Sequence, residues 1–436
     1  MESTPPLAFP RPHPDRLALG DEVHARPSDP LPTPCRASLL AVLVDATERE
    51  AEREHLAALL AQHGVAPPSP DAVRIAADLG PIHLQWERHG EFSGYVFVVA
   101  GLSPSPFRAP AASLLPTGWL EAVPGRTVVA AHAKVIAGTK APDLPAYFEG
   151  SVVVGADVGD GAGSAYTDFR LHADGWSRFV VVDRSFTPRQ AGRTLQRLFD
   201  IESYRMLALL SLPIARALLP RLARIEAALG SLTDRIAGAA EGDEALLAEL
   251  GKLAADIERE RAACQFRFGA SRAYHGIVRT RIAELRERRL AGMQTIDEFM
   301  SRRLEPAMAT IESTSALLAD LSERVARASN LLSARVEIVR EQQNLALLAS
   351  MDRRARLQLR LQQTVEWLSV AAVTYYAAGV AGYVAKALNS AGVGVKPDVV
   401  SGLTVPVVGA LTVWLLHRAR ARSGPVLAPT PPASGR

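Results

Sequence analysis

Residues 367–385, WLSVAAVTYYAAGVAGYVA, decide how the rest of this 436-residue chain must be arranged. They run for 19 residues without a charged side chain, and residues 399–416 form a second uncharged run of 18. About 20 apolar residues in a helix cross the hydrocarbon core of a bilayer. Because the backbone in lipid must satisfy its own hydrogen bonds, both runs are predicted to be transmembrane helices, which the short connection 386–398 joins into a hairpin.

The charges beside the two runs orient this hairpin. Four arginines precede the first run and three follow the second, whereas the connection contains only Lys386, Lys396 and Asp398. Lys and Arg are enriched on the cytoplasmic side of membrane proteins, so both chain termini are predicted to be cytoplasmic. A hairpin buried in a soluble core is the alternative, because Tyr375 and Tyr376 weaken the apolar signal. The flanking arginines are Arg353, Arg354, Arg356, Arg360, Arg418, Arg420 and Arg422.

The part of the chain before the hairpin begins as a mixed α/β domain. Apolar or alternating runs predict strands, and most of them are expected to be antiparallel because short turns join them. His89-Gly90 is one such turn. A charged helix is expected from about 47 to 63, with Thr47 and Glu50 as its capping box. The predicted strands cover residues 37–44, 82–88, 91–101, 126–138 and parts of 151–183.

From Thr187 onward the chain is predicted to be helical almost to its end. Thr187 followed by proline is a typical helix start, since proline is tolerated in the first turn. Apolar residues at spacings of three and four on both sides of a break at 238–244 predict an antiparallel helical hairpin. A separate charged helix is predicted for 272–290. Residues 307–378 contain neither proline nor glycine, so one long stalk helix is predicted to continue from there to residue 388.

These patterns together predict an α+β fold class with five segments. Because the 49 basic and 46 acidic residues nearly cancel, no nucleic-acid partner is expected, and the arginine clusters are better explained by lipid headgroups. In order, the segments are a proline-rich stretch 1–35, a cytoplasmic mixed α/β domain 36–186, a helical or coiled-coil region 187–364 with the stalk helix, the transmembrane hairpin 365–420 and a disordered tail 421–436.

Little in the sequence supports enzymatic chemistry, and a soluble-domain enzyme tethered to the membrane has only the His24 and Arg26 cluster behind it. The chain has no GxxxxGK[ST] loop, no HExxH and no GxSxG, and its two cysteines lack a metal-binding spacing, so no catalytic residue, cofactor or metal is predicted. The N-terminal segment HPDRLALGDEVHARP brings His24 and Arg26 close together in sequence. Both are candidates for ligand contact, since imidazole titrates near neutrality and Arg binds carboxylates or phosphates. Alternatively, the two side chains only stabilise their own proline-bounded loop.

Small residues also form a pattern in the first apolar run. Thr374, Ala378 and Gly382 recur every four residues and would line one helix face, which permits close contact with another helix. Tyr375 lies beside them and would add a hydroxyl to a polar path in a pore. Helix packing is favoured over permeation. The expected partners are therefore the lipid bilayer and further copies of the same chain.

Several long motifs resemble one bacterial family. They are HARP (24–27), AGRTLQRLFDIESYRMLALLSLPIAR (191–216), YHGIVRTRIAELRERR (274–289), QTIDEFMSRRLEPAM (294–308) and LQLRLQQTVEWLSVAAVTYYAAGVAGYVAKAL (357–388). The sequence resembles the uncharacterised membrane-anchored proteins of domain-of-unknown-function family 3422 over nearly its whole length. The resemblance implies membrane anchorage in bacteria, and together with the predicted hairpin it gives the expectation of a multi-pass protein of the bacterial inner membrane. It implies no activity and no roles for particular residues.

The order of elements is also similar to that of CorA-type magnesium channels, which have a Gly-Met-Asn filter after the first membrane helix. The corresponding region here is GYVAKALNSAG (382–392), without that motif. Two hypotheses follow. The first is a membrane-anchored, homo-oligomeric protein with a cytoplasmic binding or sensing domain. The second is a CorA-like oligomeric ion channel or transporter without the filter.

Overall fold

A computed structural model of the chain describes residues 10–17, 19–20, 29–103, 107–238 and 242–422. The chain divides into two compact units, Met1–Leu331 and Leu332–Arg436. All strands formed by the described residues belong to the first unit, and the regular elements described in the second unit are helices. The coarse prediction of a mixed α/β protein with a large sheet and long helices is therefore confirmed.

The described residues of the first unit form one nine-stranded sheet. Its strands lie in the order β2-β3-β4-β1-β5-β8-β7-β6-β9. Neighbouring strands are antiparallel except for the parallel pair β5 and β8, as the sequence predicts for most of the sheet. The strands are β1 Cys35–Leu43, β2 Arg74–Leu79, β3 Ile82–Arg88, β4 Phe92–Ala100, β5 Arg126–Ala137, β6 Val154–Val158, β7 Gly163–Thr167, β8 Ser177–Asp183 and β9 Arg288–Arg289.

Between residues 29 and 422 the described chain also forms seven α-helices. The longest, α6, has 95 residues, with Pro306 inside it. It confirms the predicted long helix and begins eleven residues earlier than expected (307 − 296). The helices are α1 Arg49–Gln62, α2 Leu144–Phe148, α3 Pro188–Leu209, α4 Ser211–Gly238, α5 Asp243–Leu285, α6 Ile296–Ser390 and α7 Pro397–Arg422.

Helix α1 and residues 111–123 cover one face of the β2-β3-β4-β1 half of the sheet. Trp86 of β3 and Tyr95 of β4 are buried there among the apolar side chains of α1. Glu52 of α1 reaches the same core, where its Oε1 accepts hydrogen bonds from Tyr95 Oη at 2.9 Å and Trp86 Nε1 at 3.2 Å. Because side chains alternate along a strand, the intervening residues of β3 and β4 face the opposite side, toward α3.

Helix α3 begins where the sequence predicts. Thr187 Oγ1 accepts the N–H of Gln190 at 3.3 Å, and Gln190 Oε1 accepts the N–H of Thr187 at 2.9 Å, which completes a capping box. Leu195, Leu198 and Phe199 are buried along this helix. The capped start thus places an apolar helix face against the second side of the sheet.

Helices α4 and α5 form the antiparallel hairpin that the sequence predicts. Arg221 of α4 binds Glu260 of α5 at 2.9 Å, and Arg235 binds Glu249 at 2.7 Å, so the pairing runs in opposite directions along the two helices. The first part of α6 packs beside them through its apolar seam. The seam residues Ile311, Leu318, Leu321 and Val325 are at most 3% exposed.

Three details of the predicted secondary structure are wrong. Thr47 does not cap α1; Asp45 Oδ1 instead accepts the backbone N–H groups of Thr47 and Glu48 at 2.8 and 3.2 Å. Residues 272–290 are not a separate helix, because α5 continues without a break from Asp243 to Leu285. Strand β2 was not predicted, since RIAADL has no clear alternation of apolar and polar residues.

Candidate functional site

A narrow cavity lies between the sheet and α3. It has about 90 Å³ of room for the centres of water molecules, enough for several waters or a small polar ligand. The wall combines apolar side chains such as Leu39, Phe92 and Phe199 with many polar groups, as is typical of binding sites. The polar lining residues are Asp29, Arg74, Gln85, Glu87, His89, Gln196, Asp200, Ser203 and Tyr204.

A glycine provides part of this room. Gly94 of β4 lies opposite Glu87 of β3, and a Cβ placed on Gly94 would meet no atom within 4 Å. Arg74 of β2 lies opposite Glu87 on the other side, so the strand register places a guanidinium beside a carboxylate. Arg74 Nη2 also lies 3.4 Å from Asp29 Oδ1. The wall therefore offers both donors and acceptors next to an unfilled position.

Asp200 of α3 is a cavity residue with a shifted pKa. Burial raises the pKa of its carboxyl to about 6, while the ion pair with Arg281 opposes the shift. Arg281 Nε lies 2.8 Å from Asp200 Oδ2. Repulsion from Glu87 raises the pKa further. A proton or a small cation at this wall would therefore relieve unfavourable negative charge.

The segment 29–31 forms a rim of the cavity at the start of α3. The Leu31 N–H donates to the carbonyl oxygen of Pro188 at 3.0 Å. A Cβ placed on Gly192 would lie 2.1 Å from the carbonyl oxygen of Asp29. Only glycine permits this close approach, so Gly192 fixes the rim against the helix.

The tip of the β3–β4 hairpin is attached to α5 by Glu91. Both carboxylate oxygens of Glu91 accept hydrogen bonds from Arg267, and Oε1 also accepts one from Tyr274 Oη at 2.5 Å. The Glu91 and Arg267 side chains are only 14% and 20% exposed. A shielded bidentate pair of this kind is stronger than a surface ion pair, so it stabilises the position of His89 at the cavity.

The ligand-contact residues predicted from the sequence, His24 and Arg26, lie outside the described residues, and their role stays a prediction. Sequence reasoning did not single out the cavity residues. An isolated glycine inside a strand pattern, such as Gly94, is a signal for a close approach or an open site. Asp200 stands between buried Phe199 and Ile201, but its partner Arg281 is 81 residues away and only the fold brings them together.

In the second unit, the predicted small-residue face of α6 lies against α7. A Cβ placed on Gly382 would lie 2.6 Å from Ser401 Oγ, and one on Gly409 would lie 3.9 Å from Thr374 Oγ1. Thr374, Ala378 and Gly382 are half-buried. The neighbouring Tyr375 is 76% exposed. Small side chains thus meet between the two helices, while the tyrosine is on the outer side of α6.

Three helical segments of the described chain are long and apolar enough to cross a membrane. Two of these segments lie in α6 and α7, and 6% and 0% of their most apolar 18 residues are buried. The third, Pro188–Gly238, comprises α3 and α4, and 33% of its window is buried. This third segment was not predicted from the sequence to be a membrane span. Leu207 of α3 and Ala215 and Leu222 of α4 are buried, so part of this segment packs inside the first unit.

The fold and cavity define an α+β protein built on a mixed nine-stranded sheet, with long apolar helices following it. The chain belongs to the family described as protein of unknown function (DUF3422), whose model matches residues 11–423. No curated protein and no solved structure matches the chain. The family resemblance predicted from the sequence motifs is confirmed, whereas the likeness to CorA-type channels is not supported.

Proposed function

We propose that this chain is a membrane-anchored, homo-oligomeric sensor protein without enzymatic activity. In this proposal α6 and α7 form a two-span hairpin in the bacterial inner membrane, and both termini are cytoplasmic. The first unit binds a small polar ligand or a proton in the cavity beside α3. The proposal rests on the exposure of the most apolar 18 residues of α6 and of α7, of which only 6% and 0% are buried.

Water would be an unfavourable solvent for these two helices. Burying apolar surface contributes about 25 cal/mol per Å², and contiguous exposed apolar patches mark interaction or membrane surfaces. Leu368, Val380 and Leu403 are 71%, 63% and 67% exposed. An apolar bilayer core around these side chains would remove this unfavourable hydration.

The hydroxyl groups in the two helices are compatible with lipid. Thr374 Oγ1 donates to the carbonyl oxygen of Val370 at 2.8 Å, and Thr404 Oγ1 donates to that of Val400 at 2.7 Å. Thr412 forms the same bond with Val408 at 2.6 Å. A hydroxyl that bonds one turn back in its own helix needs no water, which lowers the free energy of placing it in a membrane.

Homo-oligomerisation is proposed from a stripe on α6. Leu331, Ile338 and Leu345 recur every seven residues and are 73%, 55% and 60% exposed. A repeat of seven keeps apolar side chains on one side of a helix and favours a coiled coil with another helix. A second copy of this chain presents an identical stripe, so it is the proposed occupant.

The absence of enzymatic activity is proposed partly from the environment of one Ser-His pair. Ser38 Oγ lies 2.9 Å from His132 Nδ1, but the two residues are 0% and 3% exposed. Burial lowers the pKa of His132 to about 3, and its ring stacks on Trp176 at 4.0 Å. A neutral, stacked imidazole in the core is poorly placed to activate a serine toward a substrate.

Membrane anchorage is tested with the full chain expressed in bacteria. After alkaline carbonate extraction the chain should stay in the membrane pellet, and a fluorescent protein fused to either terminus should be bright in the cytoplasm. Recovery of the intact chain in the soluble fraction would reject the anchor. An alkaline phosphatase fusion active at the N-terminus would reject the orientation.

Oligomerisation is tested separately by cross-linking of the purified full chain in detergent. The double variant Ile338→Asp/Leu345→Asp should lose cross-linked species. The control Leu347→Asp/Leu357→Asp changes residues that are 60% and 65% exposed but do not continue the seven-residue repeat. If the control pair has the larger effect, or wild type shows no cross-linked species, the stripe is not an oligomer contact.

A further inference from the structure

A second, wider cleft opens on the first unit and shares no lining residue with the cavity beside α3. It has about 450 Å³ of room, within the size range of sites for small organic ligands. The residues around it come from the start of β6, the segment after β7, the end of α3 and the first turns of α6. Its floor is apolar, because Val154, Met300 and Leu304 are 1%, 4% and 3% exposed.

Three arginines line this cleft. Arg205 donates from Nε and Nη2 to Glu202 at 3.0 and 2.7 Å, and its Nη1 takes no part in that pair. Arg170 and Arg303 are exposed, and within the described part of the chain neither guanidinium has an ion-pair or hydrogen-bond partner. Guanidinium groups with free N–H donors are suited to bidentate contact with phosphate or carboxylate oxygens.

An aromatic pair stands between these cations. The Phe169 and Phe299 rings stack with centroids 5.1 Å apart. The Arg205 guanidinium lies 5.2 Å from the Phe169 ring, and that of Arg303 lies 5.0 Å from the Phe299 ring. Stacking of this kind orients the guanidinium groups and leaves their edges available to a ligand.

The backbone at this aromatic pair is strained. Phe169 has a φ of 51°, in the left-handed region that bulky L-residues rarely adopt. Strain of this kind is concentrated at functional sites, where the surrounding structure holds the residue in position. Its ring is nevertheless packed, edge-on to Phe179 and stacked on Phe299. The fold therefore keeps an aromatic side chain at this cleft despite an unfavourable backbone conformation.

The acidic residue at the cleft does not neutralise the arginines. Asp168 is the acidic residue among the described lining residues of the cleft, and its side chain is fully buried. Its Oδ1 accepts the backbone N–H of Arg170 at 3.2 Å, and its Oδ2 lies 3.1 Å from His172 Nε2. Oδ2 and Nε2 form no hydrogen bond, so Oδ1 is the Asp168 oxygen that is bonded, and it is bonded to the Arg170 backbone. Asp168 lies below the cleft surface and forms no ion pair with the Arg170 or Arg303 guanidinium.

We propose that this cleft binds the phosphate group of an organic phosphate, with Arg170 and Arg303 contacting the phosphate oxygens. The cleft is larger than a free phosphate ion, and the Phe169–Phe299 pair supplies an apolar surface for the organic part of the ligand. A soluble phosphate ester and a phospholipid headgroup present the same chemistry. The site is independent of the cavity beside α3 and does not depend on the proposed membrane anchor.

The test is calorimetric titration of the detergent-purified full chain with two probes, phenyl phosphate and the short-chain lipid dihexanoyl phosphatidylglycerol. At least one probe should bind, and Arg170→Ala/Arg303→Ala should weaken that binding at least tenfold. Arg302→Ala is the matched control, because Arg302 is exposed beside Arg303 but does not line the cleft. It should change the affinity less than twofold.

A further variant, Arg303→Lys, keeps the charge but removes the planar fork, and it should weaken binding less than Arg303→Ala. Binding of phenyl phosphate that depends on the two arginines assigns a soluble ester, and arginine-dependent binding of the lipid alone assigns a headgroup. The proposal is overturned if neither probe binds. It is also overturned if the double variant, with an unchanged thermal unfolding midpoint, binds as wild type does.

Discussion

The two units of this chain treat the same residue types in opposite ways, and helix α6 contains both behaviours. Near its start Leu321 and Val325 are 0% and 1% exposed, whereas Leu361 and Leu368 further along are 68% and 71% exposed. All four residues belong to the same α-helix. The buried apolar side chains of the first unit stabilise a protein core, whereas the exposed ones of the second unit require a different partner or solvent.

The largest expected effect comes from Leu321→Ala compared with Leu361→Ala. Removing the fully buried Leu321 side chain leaves a cavity and should lower the free energy of unfolding by about 2–5 kcal/mol. The exposed Leu361 should change it by no more than about 0.5 kcal/mol. Denaturant unfolding of the full chain in detergent, followed by circular dichroism, measures both values. Equal losses from the two variants would remove the distinction between the two parts of α6.

A second comparison places one charge inside and one outside the proposed spans. Val407 and Leu347 are both 60% exposed, but Val407 lies at the centre of the 18-residue uncharged run 399–416, whereas Leu347 lies in an uncharged stretch of only 10 residues, 342–351. An arginine at the centre of a membrane helix disfavours insertion by about 2.5–3.5 kcal/mol on biological insertion scales. Val407→Arg should therefore shift the chain from the carbonate-resistant to the extractable fraction, and Leu347→Arg should not. A matching response of both variants would argue against a bilayer around α7.

Much of the fold could be predicted because local signals and packing agree. The Thr187 cap and the turn at His89-Gly90 each act over a few residues, so the sequence alone identifies them. The Thr47 cap failed because Asp45, two residues earlier, accepts the N–H groups of Thr47 and Glu48 in a turn that precedes the helix, and the N-cap residue is Glu48, without a side-chain cap bond. Strand β2 was missed because its pairing with β3, more than its own pattern, makes it a strand.

The candidate site was less predictable, because its contacts join residues that are far apart in the sequence. Arg74 and Glu87 are adjacent only through the β2–β3 register, and Asp200 meets Arg281 only when α3 packs on α5. A charged residue inside an apolar helix face is visible in the sequence, but its partner is not. His24 and Arg26 were noticed because they are close in sequence, which is the kind of proximity that sequence reasoning detects.

The pH dependence of stability sharpens the comparison within the first unit. The folded-state pKa of Asp200, about 6, lies above its ordinary value of 3.8, so the protonated carboxyl favours the folded state. The stability that this group contributes is complete below pH 4 and is lost as pH rises through 6. Between pH 4 and 7 the unfolding free energy of Asp200→Asn, relative to wild type, should therefore increase by about 1–2 kcal/mol, allowing for partial exposure of the group. Denaturant unfolding of both proteins at four pH values measures this difference in unfolding free energy. If the difference does not change with pH, the pKa of Asp200 is not raised.

The smallest expected effect concerns Gly94, the β4 glycine that lines the same cavity as Asp200. Gly94 has no positive φ and no atom within 4 Å of a Cβ, so Gly94→Ala meets neither strain nor a clash. Alanine also restricts the unfolded chain, and stability should rise by about 0.4–1 kcal/mol. Gly80→Ala is the contrasting variant, since Gly80 has a φ of 66° and alanine there should destabilise. Thermal unfolding of the two variants and of wild type measures these changes.

If Gly94→Ala is more stable than wild type, the native glycine keeps room at the cavity at the expense of stability, as expected of a binding site. If Gly94→Ala is less stable than wild type, neighbouring side chains already require that space.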